Sequence, residues 1–172
     1  DARMSIDLSE LPDRITGPGA WAGPEMAADP ERWLATLAPE DIAELEGAAM
    51  HYLSLGRDVG EITAEAFPLP RFGAHLAVLR EKLLHGVGVE VLRGLPVAGY
   101  DQRMAATIFC GIGAHLGSAR PQNAAGHILG HVRDTGAKAD HPKTRIYQTS
   151  ARQSFHTDSA DVVGLLCLKT AR

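Results

Sequence analysis

Ser154-Phe155-His156-Thr157-Asp158-Ser159-Ala160-Asp161 runs directly into Val162-Val163-Gly164-Leu165-Leu166-Cys167-Leu168, a polar segment followed by an almost unbroken apolar one. In an extended strand, side chains two apart face the same way. His156 and Asp158 would then share one face, with Phe155 and Thr157 on the other. One imidazole beside one carboxylate on a rigid strand makes up two-thirds of the 2-His-1-carboxylate arrangement that holds non-haem Fe(II) with open positions. H-x-D by itself is a weak signal, because a chain with eight histidines produces such a tripeptide readily by chance. The competing reading is a half-buried His hydrogen-bonded to its neighbouring Asp. Context favours the metal, since a polar strand end before an apolar strand is how a site at a barrel mouth is built.

The bulk properties set the frame around that segment. A chain of 172 residues holds one domain with a real core and is short for two. With 45% hydrophobic and 22% charged residues the composition is that of an ordinary globular protein. The net charge of −4 comes without a Lys/Arg cluster, which argues against a nucleic-acid partner. Cys110 and Cys167 are far apart and lack a C-x-x-C pattern, so both read as small buried hydrophobes in a reducing compartment. No apolar run approaches the ~18 residues a membrane span requires. The N-terminal Asp1-Ala2-Arg3-Met4 has no secretory pattern, and a start on Asp implies residues missing at that end. The expected address is the cytoplasm.

Residues 1–38 are rich in Pro and Gly and read as an irregular arm, anchored by Trp21 and Trp33. Residues 39–117 carry helices and one strand. Pro39 opens a helix with Ile42, Leu45, Ala49, Tyr52 and Leu53 on one stripe, and Gly56 ends it. Phe72, Leu76, Leu79 and Leu83 predict a second helix over 72–85, stopped by Gly86. Val87, Val89 and Val91 alternate as a strand. Asp101 caps a third helix with Met104, Ile108, Ile112 and Leu116 inside and Gly117 at its end. In 118–172, a loop over 118–126 leads to short strands at 127–133 and 144–149 and then to the His156 strand. The class is α+β, with the strands gathering into one sheet system.

Several of these residues resemble a known family. Tyr147-Gln148-Thr149-Ser150 and the whole stretch from Phe155 to Leu168 look like the metal-binding segment of taurine dioxygenase-like (TauD/TfdA) enzymes. Leu92-Arg93-Gly94-Leu95-Pro96-Val97, His115-Leu116-Gly117, Gln122-Asn123 and His131-Val132-Arg133-Asp134 fit in order, so the likeness covers residues from about 67 to 172. It implies a double-stranded β-helix (jelly roll) core with N-terminal helices, incomplete at the C-terminus, its second half lying outside the chain. It also implies the cofactors Fe(II) and 2-oxoglutarate, with O2 and a small organic molecule as substrates and succinate and CO2 as products. His156 and Asp158 are the implied metal ligands. The third ligand, a His, and the Arg for 2-oxoglutarate are expected downstream of Arg172, so the chain alone is expected to be inactive.

His115, His127, His131 and His141 are the upstream alternatives for the third ligand, and His127 and His131 would share a face on an ideal strand. Gln122 and Asn123 lie where family members often line the substrate side. Gln148 and Arg152 precede the metal strand and could point into the mouth. Arg152 reads either as a solvent-facing loop residue or as the partner of an anionic substrate. Asp161, on the opposite face from Asp158, reads as a turn or supporting residue. To serve as ligands, His156 must be neutral and Asp158 ionised, so iron loading is expected to weaken in acid. The alternative function is a non-catalytic jelly-roll binding module, or a truncated remnant that needs a partner to cover its strand edges. A hydrolytic metal site fits less well, lacking a general base nearby. A homo-oligomer is allowed, and neither nucleic acid nor membrane is expected as a partner.

Overall fold

The computed structural model describes residues 12–122, 126–136, 146–158 and 160–170. Among these residues are four α-helices, α1 (Gly23–Ala28), α2 (Pro39–Ser54), α3 (Phe72–His85) and α4 (Gln102–Leu116), and two three-residue strands, β1 (Leu34–Thr36) between α1 and α2 and β2 (Val91–Arg93) between α3 and α4. Helix α4 is the packing centre, with α2 and α3 both resting on it. Leu45, Ala49 and Tyr52 from α2, Phe72, Leu76 and Leu79 from α3, and Ile108 from α4 close the core together with Phe67 and Leu69 from the loop before α3.

Local chemistry explains each long helix. Pro39 takes the first position of α2, and the Asp41 carboxylate accepts from the Ala38 N–H at 3.0 Å. Gly56 follows the helix at φ +66°, a conformation that costs glycine little. In α4 the Asp101 side chain accepts from Met104 N at 2.7 Å. Helix α3 has no N-terminal side-chain cap of its own. Its first amides, Arg71 N and Phe72 N, donate instead to the two carboxylate oxygens of Glu44 on α2, at 2.9 and 2.7 Å. Glu44 thus satisfies two donors that the start of any helix leaves unpaired.

Helix α4 meets the Phe67 loop at Gly111, where an added Cβ would stand 2.5 Å from three atoms of the Phe67 ring. The Phe67 carbonyl is also held by His115 Nε2 at 2.8 Å. Both residues lie on one face of α4, so a glycine and a histidine one turn apart fix the loop between α2 and α3.

The strands depart from the sequence expectation. β1 lies inside the predicted irregular arm and pairs in parallel with β2, in the register Leu34↔Val91, Ala35↔Leu92 and Thr36↔Arg93. The same arm contains α1, whose Glu25 takes the Ala22 amide at 3.4 Å. The arm is therefore partly structured: a capped turn and a strand too short to show a period are hidden among its prolines and glycines. Trp21 Nε1 donates to Val87 O at 2.8 Å and Trp33 Nε1 to Met26 O at 2.7 Å. The predicted strand over Val87, Val89 and Val91 shifts to Val91–Arg93 because Gly88, at φ +76°, breaks the extended run. Ahead of β2, the nearly buried Glu90 carboxylate is ion-paired with Lys82 and lies 3.2 Å from His75, which ties the strand's approach to α3.

Beyond α4 the expected strands at 127–133 and 144–149 are absent among the described residues. Arg133 N does donate to Tyr147 O (3.1 Å) and Thr135 N to Gln148 O (2.9 Å), alongside a 3-10 turn at Ile146–Gln148. Residues 131–136 are exposed, and a lone pair of segments with no buried face does not hold a ladder. The apolar run 162–168 also forms no strand. Val163, Leu165 and Leu168 are exposed, Leu166 is half-buried, and Gly164 passes close to the Phe109 ring of α4. The described residues are thus α+β, with a two-stranded sheet.

The cysteines divide as well. Cys110 is half-buried in α4, but Cys167 is exposed, contrary to the expectation that both are buried, because the run 162–168 forms no strand and finds no covering layer. No helix among the described residues is long and apolar enough to cross a membrane.

Candidate metal centre

The segment that carries His156 and Asp158 leaves the 3-10 turn through a hydroxyl-anchored corner. Thr149 Oγ1 donates to Ile146 O at 2.8 Å and accepts from Ala151 N at 3.1 Å. Residues 152–158 then run without helix or turn, all of them exposed. His156 and Asp158 lie on one side of this run, with His156 Nε2 3.8 Å from Asp158 Oδ1. Both side chains are about half exposed, at 48% and 55%. Phe155, between Ser154 and His156, is fully exposed.

The imidazole is oriented by its neighbours. Nδ1 sits 3.0 Å from Ser154 O. A carbonyl oxygen only accepts, so the ring proton belongs on Nδ1 and the Nε2 lone pair is left for another partner. The Gln153 carboxamide nitrogen lies 3.1 Å from Nε2 and 3.4 Å from Nδ1. Gln153 is a residue that sequence reasoning missed, and the signal was slight: an amide three positions before the His. Arg152, Gln153, Ser154, Phe155 and His156 line a shallow open depression.

Of the other sequence candidates, Arg152 lines the same depression as His156. Gln122 is exposed and spends its amide on Arg120 O at 3.0 Å, while its backbone N–H donates to His127 O at 2.6 Å. Asn123 lies outside the described residues, as do His141, Ser159 and Arg172. The Gln148 carbonyl accepts from both N and Oγ1 of Thr135. His115 is occupied at the Phe67 loop, and His131 Nδ1 stands 3.5 Å from the Gln102 amide at the start of α4. His127 and His131 do not share a strand face, since no strand forms there. Among the described residues, no three His, Cys, Asp or Glu side chains come together as a metal site.

His156 and Asp158 nevertheless fit two positions of a divalent centre. Two donors about 2.1 Å from one ion on adjacent octahedral positions stand ~3 Å apart, within about 1 Å of the 3.8 Å separation seen here between two half-exposed side chains. An imidazole and a carboxylate are also the donor types that suit Fe(II).

Comparison with known proteins gives a consistent result. The family model "Taurine catabolism dioxygenase TauD, TfdA family" matches residues 53–172, from the end of α2 through the His156 segment. FR-33289 synthase of Streptomyces rubellomurinus (strain ATCC 31215) is 33% identical over 159 residues, covering 92% of this chain and 47% of that protein. The taurine hydroxylase-like protein SAT17 of Stachybotrys chartarum (strain CBS 109288 / IBT 7711) is 28% identical over 170 residues, covering 94% of this chain and 44% of that protein. The chain thus spans about half the length of these curated relatives.

Proposed function

This chain belongs to the TauD/TfdA family, and from that premise we propose that it carries the iron-holding segment of an Fe(II)- and 2-oxoglutarate-dependent oxygenase. The intact protein oxidises an unactivated C–H of a small organic substrate. The pairing of His156 Nε2 with Asp158 Oδ1 on one side of the run, at 3.8 Å, carries the reading. When bound, the iron, 2-oxoglutarate and O2 supply the oxidising chemistry, with release of succinate and CO2.

The chain's own residues prepare that site. Ser154 O takes the Nδ1 proton and so turns the basic nitrogen of His156 outward. Asp158 supplies negative charge beside it. Arg152, which lines the same depression, would meet an anionic group on the substrate. The remaining iron ligand and the group that holds 2-oxoglutarate belong to other parts of the intact protein. There the apolar run 162–168 joins a jelly-roll sheet. Hydroxylation is the outcome suggested by the taurine hydroxylase-like relative. A reducing, cytoplasmic setting suits the two free cysteines.

The test is anaerobic addition of Fe(II) and 2-oxoglutarate to the intact protein. A visible charge-transfer band, with succinate formed on admitting air, is expected. Both signals should disappear in His156→Ala and Asp158→Ala. Absence of the band and of succinate in the unmutated protein overturns the proposal.

A further inference from the structure

We propose that Gln153 is a positioning residue for the metal-binding imidazole, an inference that rests on reading His156 and Asp158 as ligands. Its carboxamide nitrogen is almost equidistant from the two ring nitrogens of His156, 3.1 Å from Nε2 and 3.4 Å from Nδ1. A donor in line with the Nε2 lone pair would stand much farther from Nδ1. A donor in the ring plane between the two nitrogens would collide with Cε1. Near-equal distances therefore put the amide over the face of the imidazole.

That placement matters because both nitrogen lone-pair directions lie in the ring plane. The amide restrains the ring without occupying the atom that binds metal. Ser154 O holds the edge of the ring through Nδ1 at 3.0 Å, and Gln153 covers its face. The two contacts leave the in-plane lone pair of Nε2 available, with Asp158 Oδ1 3.8 Å from that nitrogen. Packing does not do this job here, since His156 is about half exposed and Phe155 beside it is fully exposed. Outer partners of a ligating histidine typically contribute 10–100-fold to metal affinity. Gln153 is itself exposed, so its loss leaves the core intact.

The experiment measures Co(II) binding to the intact protein by calorimetry for the unmutated protein, Gln153→Leu and His156→Ala. It is paired with 15N NMR of the His156 ring in the metal-free state. Gln153→Leu is expected to raise the Kd for Co(II) tenfold or more and to shift the ring nitrogen signals as the amide over the ring face is removed, with an unchanged unfolding midpoint. His156→Ala is expected to abolish binding. If His156→Ala abolishes binding while Gln153→Leu leaves both the Kd and the ring signals unchanged, the role of Gln153 is refuted and the ligand reading stands. If His156→Ala binds Co(II) as the unmutated protein does, both fall together.

Discussion

Substituting Gly111 by Ala sets two opposed effects against each other inside α4. In a helix interior alanine is favoured over glycine by ~1 kcal/mol, so propensity alone predicts a gain. Packing predicts a loss. The new methyl would stand 2.5 Å from Cδ1, Cε1 and Cζ of Phe67, whereas carbon atoms prefer about 3.5–4.0 Å. The Phe67 ring is fully buried, and its backbone is held through His115, so it has no open side to move into. Relief requires a shift of about 1 Å in the ring or in the helix. Overpacking of this kind costs ~1–3 kcal/mol, and three simultaneous collisions put this case at the upper end. Taking about 3 for the strain and returning about 1 for propensity leaves a net loss of ~2 kcal/mol. For a chain of this size that lowers Tm by about 4–8 °C. Thermal unfolding followed by far-UV circular dichroism reads the shift directly. In a double-mutant cycle, Phe67→Leu should cost less in the Gly111→Ala background than alone, because the collision has gone. A Gly111→Ala protein that melts at or above the unmutated temperature would refute the close approach of α4 to Phe67.

Glu44→Ala should cost ~1–2 kcal/mol, because it strips the two amides at the start of α3 of their acceptor. Urea unfolding would measure it, and Glu44→Gln, which keeps an acceptor oxygen, should cost less. The Cys110 thiol is pushed up to about 11, first by burial and then by the Asp58 carboxylate. With the ordinary thiol value near 9.0, the stability this thiol contributes is complete below pH 9 and falls away as pH rises toward 11. Cys110→Ala should therefore flatten that part of an alkaline stability profile, and an unchanged slope would argue against the effect. Under native conditions at pH 8 a thiol reagent should modify the exposed Cys167 rapidly and Cys110 slowly, with both reacting fast in urea. Mass mapping of the modified peptides distinguishes the two.

The three long helices were legible because their determinants are local. Pro39 and Asp41, the stripe from Phe72 to Leu83, and Asp101 with its carboxylate on Met104 all act within a few residues of the element they define. The β1–β2 pair was not legible, since Leu34–Thr36 has too few residues for a period and its partner lies on the far side of two helices. Alternation misplaced β2, because one glycine in the left-handed region at position 88 outweighs three valines. The strands expected after α4 failed for a further reason: a β pattern states which face is apolar but supplies no neighbour. At the candidate site, the i, i+2 spacing of His156 and Asp158 was readable from pattern alone. The contact from Gln153 was not, because it depends on a side chain folding back over a ring.

The parallel pairing of β1 with β2 also bears on how the protein is made. As the chain leaves the ribosome, Leu34–Thr36 emerges long before Val91–Arg93 has been synthesised. The earlier strand must wait with its amides in water while α2 and α3 are translated, and α4, on which both of those helices rest, follows β2 in the chain. The small sheet therefore acts as a clasp fastened late in synthesis, tying a strand from near the start of the chain to the segment that leads into α4.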